Sequence, residues 1–278
     1  MFNNIRPLII FLFNISLLSL SFHKTYYTSQ HYHLRVKLKM SDSLMIPTYE
    51  NLALNLINKL NGNNLQKNKQ YWIGIAGGPG SGKSTLANAI KDIINEYTKS
   101  DQAVVLPMDG YHYSRSELKE ISKEGVYTYE ELLARRGSPW TFDAVKLIKA
   151  FTKAKEDGHA ILNTYSRQLS DPVQSGVELK LTHQIILCEG NYLLNWDDEL
   201  WQDLRNIFDE TWFISCDDFR KQRERLIKRH LETWTIEKDI MWGCNEIGAS
   251  KKADANDMLN VIFVESHKKY ADLIIRSL

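Results

Sequence analysis

Cysteine is scarce in this 278-residue sequence, which contains three: Cys188, Cys216 and Cys244. Three widely separated cysteines are too few for the disulfide framework of a small secreted protein. No Cys-x-x-Cys pair and no cluster of histidine with cysteine is present, so the sequence suggests no structural zinc site. Cys188 and Cys216 each end an apolar run typical of a strand, and we therefore expect both to be buried free thiols.

A strong charge of either sign is also lacking, because the formal net charge is +1 at pH 7. The 35 Lys and Arg residues are unevenly placed, since five of them lie in residues 1–41, a stretch without Asp or Glu. The remaining chain carries 30 basic and 34 acidic side chains. Such a mildly acidic body lacks the positive surface that nucleic-acid phosphates require, so we expect no nucleic-acid partner.

No apolar run is long enough to suggest a membrane-spanning helix. The most apolar segment, residues 7–22, is shorter than the roughly 20 residues such a helix needs, and Asn14 interrupts it. A basic, hydroxyl-rich stretch without acids follows, which is typical of targeting segments. We therefore predict that residues 1–45 are a leader that directs the protein to a mitochondrion or plastid, without stable membrane insertion.

An alternative is that translation starts at Met40 or Met45, which would leave the protein in the cytoplasm. In both cases we expect residues 46–278 to fold as one domain. The whole chain is 43% hydrophobic and 25% charged, which is the profile of a globular protein with a sizeable core.

Short apolar runs alternate with helical patterns after residue 50, which favours an α/β fold with a mostly parallel sheet covered by helices on both faces. The predicted strands are residues 71–76, 103–108, 160–165, 178–181, 184–188, 211–216 and 272–276. The predicted helices are residues 50–60, 84–97, 128–135, 142–156, 217–230 and 256–266.

A glycine-rich segment follows the first predicted strand. Residues 77–84 read GGPGSGKS, which matches the P-loop pattern G-x-x-x-x-G-K-[ST], and a helical pattern follows as the motif requires. The glycines let backbone N–H groups surround phosphate oxygens, and the helix N-terminus adds partial positive charge. The motif predicts bound ATP with Mg²⁺, Lys83 reaching the β- and γ-phosphates and Ser84 binding the metal. The predicted nucleotide ligands are Gly77, Gly78, Pro79, Gly80, Ser81, Gly82, Lys83, Ser84 and Thr85.

A carboxylate, Asp109, ends the next predicted strand, residues 103–108. The carboxyl ends of strands form the ligand crevice of an open α/β sheet. A carboxylate there could deprotonate an attacking hydroxyl group near the γ-phosphate. The residues alone equally allow Asp109 to cap a turn beside Gly110.

Five segments in a fixed order carry a family resemblance: GGPGSGKST, MDGYHY, RRGSPWTFD, ILCEGNYLL and RLIKRH. Over roughly residues 70–278 the sequence resembles the phosphoribulokinase/uridine kinase family. Many families share the P-loop, whereas MDGYHY and RRGSPWTFD are far more particular. The resemblance implies a P-loop NTPase fold with an arginine-bearing lid.

On the acceptor side, the resemblance implies a role for each matching residue. Asp109 matches the base that activates the acceptor hydroxyl group. Tyr111 and His112 match the wall of the substrate pocket. Arg136 matches the segment that closes over the acceptor, and Arg167 matches a loop that approaches the substrate or the transferred phosphoryl group.

On the nucleotide side, the resemblance implies that Glu189 supports Mg²⁺ directly or through water. Arg225 and Arg229 match the lid, where cations would stabilise the transferred phosphoryl group together with Lys83. Asn256 and Asn260 match the stretch near the adenine. One departure is clear, because residues 232–255 are longer than the short glycine-containing link usual in the family.

The sequence therefore predicts a kinase that transfers the γ-phosphoryl group of ATP to a hydroxyl group of a nucleoside, sugar, sugar phosphate or vitamin-like alcohol. The alternative is a P-loop ATPase or nucleotide-binding regulator without a small-molecule acceptor. The crevice carboxylate and the RRGSPWTFD segment favour the kinase. A homodimer is compatible with either function.

Overall fold

A central parallel sheet organises the protein, whose structure is a computed structural model that describes residues 9–10, 46–61 and 69–277. Six strands form this sheet in the order β1-β8-β7-β2-β6-β3, and two further strands, β4 and β5, pair separately. The strands are β1 (Ile9–Ile10), β2 (Tyr71–Gly77), β3 (Ala103–Pro107), β4 (Ala160–Ser166), β5 (Asp171–Leu179), β6 (Ile185–Gly190), β7 (Glu210–Cys216) and β8 (Leu273–Ser277).

Helices alternate with the strands of the central sheet. They are α1 (Ile46–Asn61), α2 (Lys83–Thr98), α3 (Arg115–Ile121), α4 (Tyr129–Ala134), α5 (Ala144–Asp157), α6 (Phe219–Leu231), α7 (Ile236–Trp242), α8 (Asn245–Lys252) and α9 (Met258–Glu265). A π-helical turn, Ala253–Asp257, joins α8 to α9 without a break. This architecture confirms the predicted α/β fold.

The sheet is buried on both faces, as its apolar strands require. In β6, Ile186 and Cys188 belong to the core that contains Phe151 of α5. The alternate residues Ile185 and Leu187 belong to the core that α1 and α2 cover. Full burial of each such aliphatic side chain contributes about 1.5–3 kcal/mol. Cys188 and Cys216 are buried free cysteines, as predicted.

β4 and β5 form an antiparallel pair of their own. The prediction of a strand at 160–165 is confirmed, but β5 is much longer than the predicted strand 178–181. Most of β5 is half-buried or exposed, so it lacks the apolar run by which the buried strands were recognised. The connection between the strands turns at Ser170, whose φ is +50°.

Local capping signals predict helix ends well in this chain. Thr128 and Glu131 form the expected capping box at the start of α4. Gly158 ends α5 with a φ of +73°. The sequence patterns did not reveal α3, α7 and α8, which are only seven or eight residues long and offer little periodicity.

The predicted leader, residues 1–45, lies outside the described residues apart from Ile9–Ile10, which pairs with Leu273 and Ile274. The alternative start sites Met40 and Met45 also lie outside them. Within the described ranges, no helix combines the length and apolar character needed to cross a membrane.

Candidate functional site

Three neighbouring parallel strands end at one edge of the sheet and bring the main polar groups together there. β6 lies between β2 and β3, and Glu189 is in register with Ile75 of β2 and Pro107 of β3. The P-loop follows β2, and Asp109 follows β3. The P-loop, Glu189 and Asp109 therefore meet at the edge where open α/β sheets bind ligands.

The P-loop backbone has the conformation that its glycines permit. Gly80 and Gly82 have φ angles of +78° and +96°, which favour glycine over other residues. A Cβ atom on Gly77 would lie 2.7 Å from Ser81 Oγ and 2.8 Å from the carbonyl oxygen of Ile214. α2 begins directly at Lys83, so its free N–H groups face the loop.

One buried hydroxyl group in this loop lacks a hydrogen-bond partner, which is consistent with a site for an anion. Ser81 is 1% exposed, and its Oγ has no hydrogen-bond partner among the described residues. Buried polar groups normally have such a partner. The orphaned hydroxyl, the open backbone and the helix N-terminus all fit a phosphate chain.

Lys83 and Glu189 are two buried groups of opposite charge beside the loop. Their residues are 9% and 6% exposed. Burial lowers the pKa of Lys83, against the raising effects of the Glu189 and Asp109 charges. Burial raises the pKa of Glu189, against the lowering effects of the Lys83 charge and of the neighbouring Ser84 side chain. Burial therefore works against both charges, which a bound anion near Lys83 and a cation near Glu189 would stabilise.

Ser84 and Glu189, the two residues predicted to hold Mg²⁺, lie close enough for the Ser84 side chain to oppose the effect of burial on the pKa of Glu189. The described part of the chain contains no group of three or more His, Cys, Asp or Glu side chains that could hold a metal ion. Mg²⁺ in nucleotide sites commonly takes one or two protein ligands and completes its shell with phosphate oxygens and water. The donor set of Ser84 and Glu189 fits that kind of site.

Asp109 faces a cavity of about 270 Å³. Its carboxylate has no hydrogen bond or ion pair with another described residue, so it is available to a ligand. The 3₁₀ turn Met108–Tyr111 holds Asp109 at the end of β3. Of the sequence-predicted site residues, those that line the cavity are Pro79, Lys83, Asp109, His112, Arg136, Arg167, Arg229 and Asn260.

His112 forms part of the cavity wall. Its Nδ1 lies 2.8 Å from the carbonyl oxygen of Asp109, and a carbonyl can only accept, so Nδ1 is assigned the proton. Its ring contacts Phe142 and Tyr165 at centroid distances of 3.8 Å and 4.9 Å. Burial lowers the pKa of His112, against the raising effect of the Asp109 charge. A neutral imidazole with these contacts can orient a substrate.

Tyr111 does not reach the cavity. It is 3% exposed and packs edge-on against Phe151 at 5.9 Å. Burial raises the pKa of its hydroxyl group well above the usual range. The structure therefore places Tyr111 in the hydrophobic core behind the cavity wall.

Arg136 lines the cavity, but other protein groups occupy most of its guanidinium. Nη2 donates to Asp171 at 2.7 Å and to the carbonyl oxygen of Tyr113 at 2.9 Å. Nη1 donates to the carbonyl oxygen of Ser170. These contacts tie Arg136 to the start of β5 and give it a structural role in addition to any contact with a ligand.

Arg225 and Asn256, predicted on the nucleotide side, do not line the cavity and contact other parts of the protein instead. Arg225 donates to Ser277 Oγ at 3.0 Å, and its Nη1 lies 3.4 Å from the carbonyl oxygen of Gly80. Asn256 is 1% exposed and donates to the carbonyl oxygen of Arg136 at 2.8 Å. Arg225 therefore contacts the P-loop from outside the cavity, and Asn256 stabilises the segment around Arg136 through its hydrogen bond.

Arg167 and Arg229 complete the phosphate end of the cavity. Arg167 is exposed, and its guanidinium group has no hydrogen bond or ion pair with another described residue. Arg229 lies 3.9 Å from Asp257. The charges of both arginines act on Lys83, so the three cations lie near one another. Asn260 donates from Nδ2 to the carbonyl oxygen of Gly137 at 3.3 Å.

Several cavity residues were not found from the sequence: Arg115, Asn191, Lys238, Lys252 and Asp257. Lys238 and Lys252 belong to α7 and α8, in the segment where the sequence departs from the family pattern. The length of that segment was the one signal that pointed to it.

Comparisons with known proteins find relatives among P-loop kinases. The family model described as Zeta toxin matches residues 57–162. A Schizosaccharomyces pombe protein that carries a provisional uridine kinase name is 32% identical over 220 residues, which are 77% of this chain and 86% of that protein. A pantothenate kinase from Levilactobacillus brevis is 29% identical over 45% of this chain and 38% of its own length.

A solved structure supports the same assignment. A Silicibacter protein provisionally described as a fructose transport system kinase superposes with a TM-score of 0.64 at 25% identity, over 82% of this chain and 98% of its own. The chain belongs to the phosphoribulokinase/uridine kinase family of P-loop kinases.

Proposed function

We propose that this protein transfers the γ-phosphoryl group of Mg·ATP to a hydroxyl group of a small metabolite, with Asp109 as the general base. The unpaired carboxylate of Asp109 carries this proposal, because it faces the same cavity as Lys83 of the P-loop. A pure ATPase has no need of space for an acceptor beside the phosphate site.

The residues around the P-loop fit a nucleotide and its metal ion. The backbone of residues 77–84 holds the phosphates, and Ser84 with Glu189 holds Mg²⁺. When bound, Mg·ATP supplies the transferable phosphoryl group and ADP as the leaving group.

Asp109 accepts the proton of the acceptor hydroxyl group as the hydroxyl oxygen forms its bond to phosphorus. Burial lowers the pKa of Lys83 and the Asp109 charge opposes that shift, which supports a base close to the γ-phosphate that Lys83 would reach. His112, with its Nδ1 bonded to the Asp109 carbonyl oxygen, orients the acceptor from the cavity wall.

Positive charge at the phosphate end stabilises the transferred group. Lys83, Arg167 and Arg229 surround the position where negative charge spreads over the phosphoryl oxygens during transfer. Arg229 rather than Arg225 is the proposed lid cation, because Arg229 lines the cavity.

The deciding experiment measures ADP release by the full chain with Mg·ATP and a panel of nucleosides, sugars, sugar phosphates and hydroxy acids. We expect ADP release to depend on one acceptor class, with a product heavier by one phosphoryl group in mass spectrometry. ADP release that is the same with every acceptor and without any would instead support the ATPase or regulator.

Targeting and assembly remain proposals of their own. We propose that residues 1–45 direct the protein to a mitochondrion or plastid; a fluorescent protein fused to these residues would then be found in that organelle, and diffuse fluorescence would contradict it. Homodimer formation remains a prediction, which sedimentation of the purified chain can test.

A further inference from the structure

A second group of cations lines the part of the cavity formed by α3, α7 and α8. Arg115 begins α3, Lys238 lies on α7, and Lys252 is the last residue of α8. The three residues are neighbours, since burial lowers the pKa of Lys238 and the charges of Lys252 and Arg115 add to that shift. The phosphoryl transfer described above requires none of these three residues.

Lys252 is the member of this group that lacks a protein partner. The residue is half-buried, and its ammonium group has no hydrogen bond or ion pair with another described residue. Burial lowers the pKa of Lys252, the charge of Asp257 opposes that shift, and the charges of Arg229 and Arg136 add to it. A half-buried ammonium group among other cations is stabilised when an anion binds beside it.

The acidic side chains that line the cavity do not pair with Lys252. Glu237 is bound to Arg115 at 3.1 Å, and Asp257 is 2.7 Å from His230. Asp109 is the proposed base at the other end of the cavity, and Glu232 is exposed. Seven Lys or Arg residues thus face four acids in the lining, namely Lys83, Arg115, Arg136, Arg167, Arg229, Lys238 and Lys252 against Asp109, Glu232, Glu237 and Asp257.

The phosphates of ATP account for only part of this excess positive charge. The charges of Arg167 and Arg229 act on Lys83, which places these cations at the P-loop. The charge of Arg229 also acts on Lys252, so one arginine lies between the two groups. A further buried polar atom, Arg115 Nε, has no partner among the described residues. The second group therefore suits an anion other than the transferred phosphoryl group.

We propose that the acceptor carries an anionic group, a carboxylate or a phosphate, in addition to its reactive hydroxyl group, and that Lys252 with Arg115 binds that group. This inference rests on the proposed kinase function and names the substrate class of the same site. The positive charge of Lys252 and Arg115 would favour an acceptor that carries a carboxylate or a phosphate over a neutral acceptor with the same carbon skeleton.

The test uses three pairs of acceptors that differ mainly in the anionic group: D-glycerate and glycerol, pantothenate and panthenol, and ribose 5-phosphate and ribose. The full chain is assayed with each compound for acceptor-dependent ADP release, and binding of each compound is measured by calorimetry. We expect at least one anionic member to bind and to be phosphorylated, with kcat/KM at least roughly tenfold above its neutral partner.

Variants then test whether Lys252 causes the preference for the anionic acceptor. Lys252→Met should lower kcat/KM for the anionic acceptor by roughly tenfold or more and should narrow its preference over the neutral partner. Lys252→Arg, which keeps the charge, should restore most of the preference. Lys251→Met is the matched control, because Lys251 is exposed on the same helix and does not line the cavity.

The outcomes separate the two proposals. Phosphorylation of neutral members as efficiently as their anionic partners would overturn the anionic acceptor and leave the kinase function standing. An unchanged preference in Lys252→Met would overturn the role of Lys252. Failure of every anionic member to bind would also overturn the inference, whereas ADP release indifferent to all six compounds would count against the kinase function itself.

Discussion

Arg136 donates a hydrogen bond from Nη2 to Oδ1 of Asp171 over 2.7 Å, and this pair joins the RRGSPWTFD segment to the start of β5. The side chains are 10% and 30% exposed. The sequence resemblance placed Arg136 over the acceptor, whereas the structure shows a guanidinium that already has three protein acceptors. Its first contribution is therefore to hold the cavity wall in place.

Replacing Arg136 by methionine should lower the free energy of unfolding by about 2–4 kcal/mol, because the substitution removes the cation that pairs with a partly buried carboxylate and the donor to two carbonyl groups. Urea unfolding measures the change. Lys153→Met is the control, since Lys153 pairs with Asp157 on the surface and is 70% exposed, and it should change stability by less than about 0.5 kcal/mol. Equal stability of both variants, with only the acceptor KM raised for Arg136→Met, would show that Arg136 serves the acceptor alone.

Asp109→Asn should separate binding from transfer. The amide keeps the shape of the side chain but cannot take a proton, so the transfer rate should fall by about 10²–10⁴-fold. Affinity for ATP, measured by equilibrium binding of a fluorescent analogue, should change little. Lys83→Ala should weaken both ATP binding and transfer, because Lys83 serves the phosphates directly. A near-normal transfer rate in Asp109→Asn would remove Asp109 from the role of base.

Gly110→Ala should displace the base. A Cβ atom there would lie 2.4 Å from the carbonyl oxygen of Asn163 and 2.8 Å from the backbone nitrogen of Thr164. Because backbone atoms of β4 cannot rotate away, we expect a loss of about 1–3 kcal/mol in stability and a clear fall in transfer rate. The preceding residue is Asp109, so the same shift moves the carboxylate.

Gly125→Ala is the control for Gly110→Ala, because it should lower the stability of the protein without moving Asp109. Gly125 has a φ of +80° and no neighbour within 4 Å of an added Cβ atom. Its conformation makes alanine less stable by about 1–2 kcal/mol, yet the transfer rate at a temperature where the protein is folded should stay normal. If Gly110→Ala transferred phosphoryl groups as fast as Gly125→Ala, the close approach of β4 would have no bearing on catalysis.

The sequence predicted the strand, the glycine-rich turn and the helix of the P-loop because their signals are local. A buried strand, a glycine-rich turn and a helix follow one another directly, so the positions of Lys83 and Ser84 depend on fewer than twenty residues. Asp109 was also predictable, because it follows an apolar strand and parallel strands end at a common edge.

The rest of the cavity depends on contacts between distant parts of the chain, which no local pattern contains. Asn256 bonds to the backbone of Arg136, which is 120 residues away. Arg225 bonds to Ser277 across 52 residues. The motif match assigned both Arg225 and Asn256 to the nucleotide site. Only the fold shows that both side chains stabilise the site from outside the cavity. Lys252 lies on a short helix in the longer segment, where family resemblance offered no guide.

Acidification should destabilise the protein through His230, which is buried 2.7 Å from Asp257. Burial lowers the pKa of His230, although the hydrogen bond and the charge of Asp257 oppose that shift, and the charges of Lys252 and Arg229 add to it. Below pH 6.5, His230 is therefore protonated in the unfolded chain but not in the folded chain. The free energy of unfolding then falls as the pH falls from 6.5 towards the pKa of His230 in the folded chain. For Asp257 burial acts to raise the pKa, but the hydrogen bond from His230 and the Lys252 charge outweigh it and lower the pKa, so its contribution is lost only below about pH 3.8.

His230→Gln tests this, because the glutamine amide can still donate to Asp257 but does not titrate. Between pH 7.5 and 5.5, urea unfolding should show that the wild type loses more stability than His230→Gln, by at most about 1.4 kcal/mol for one proton over the one pH unit below 6.5. His159→Gln replaces an exposed histidine and should keep the wild-type dependence. Parallel pH profiles for the wild type and His230→Gln would mean that His230 gains its proton equally in both states, and that Asp257 then holds a charged imidazolium beside the acceptor cavity.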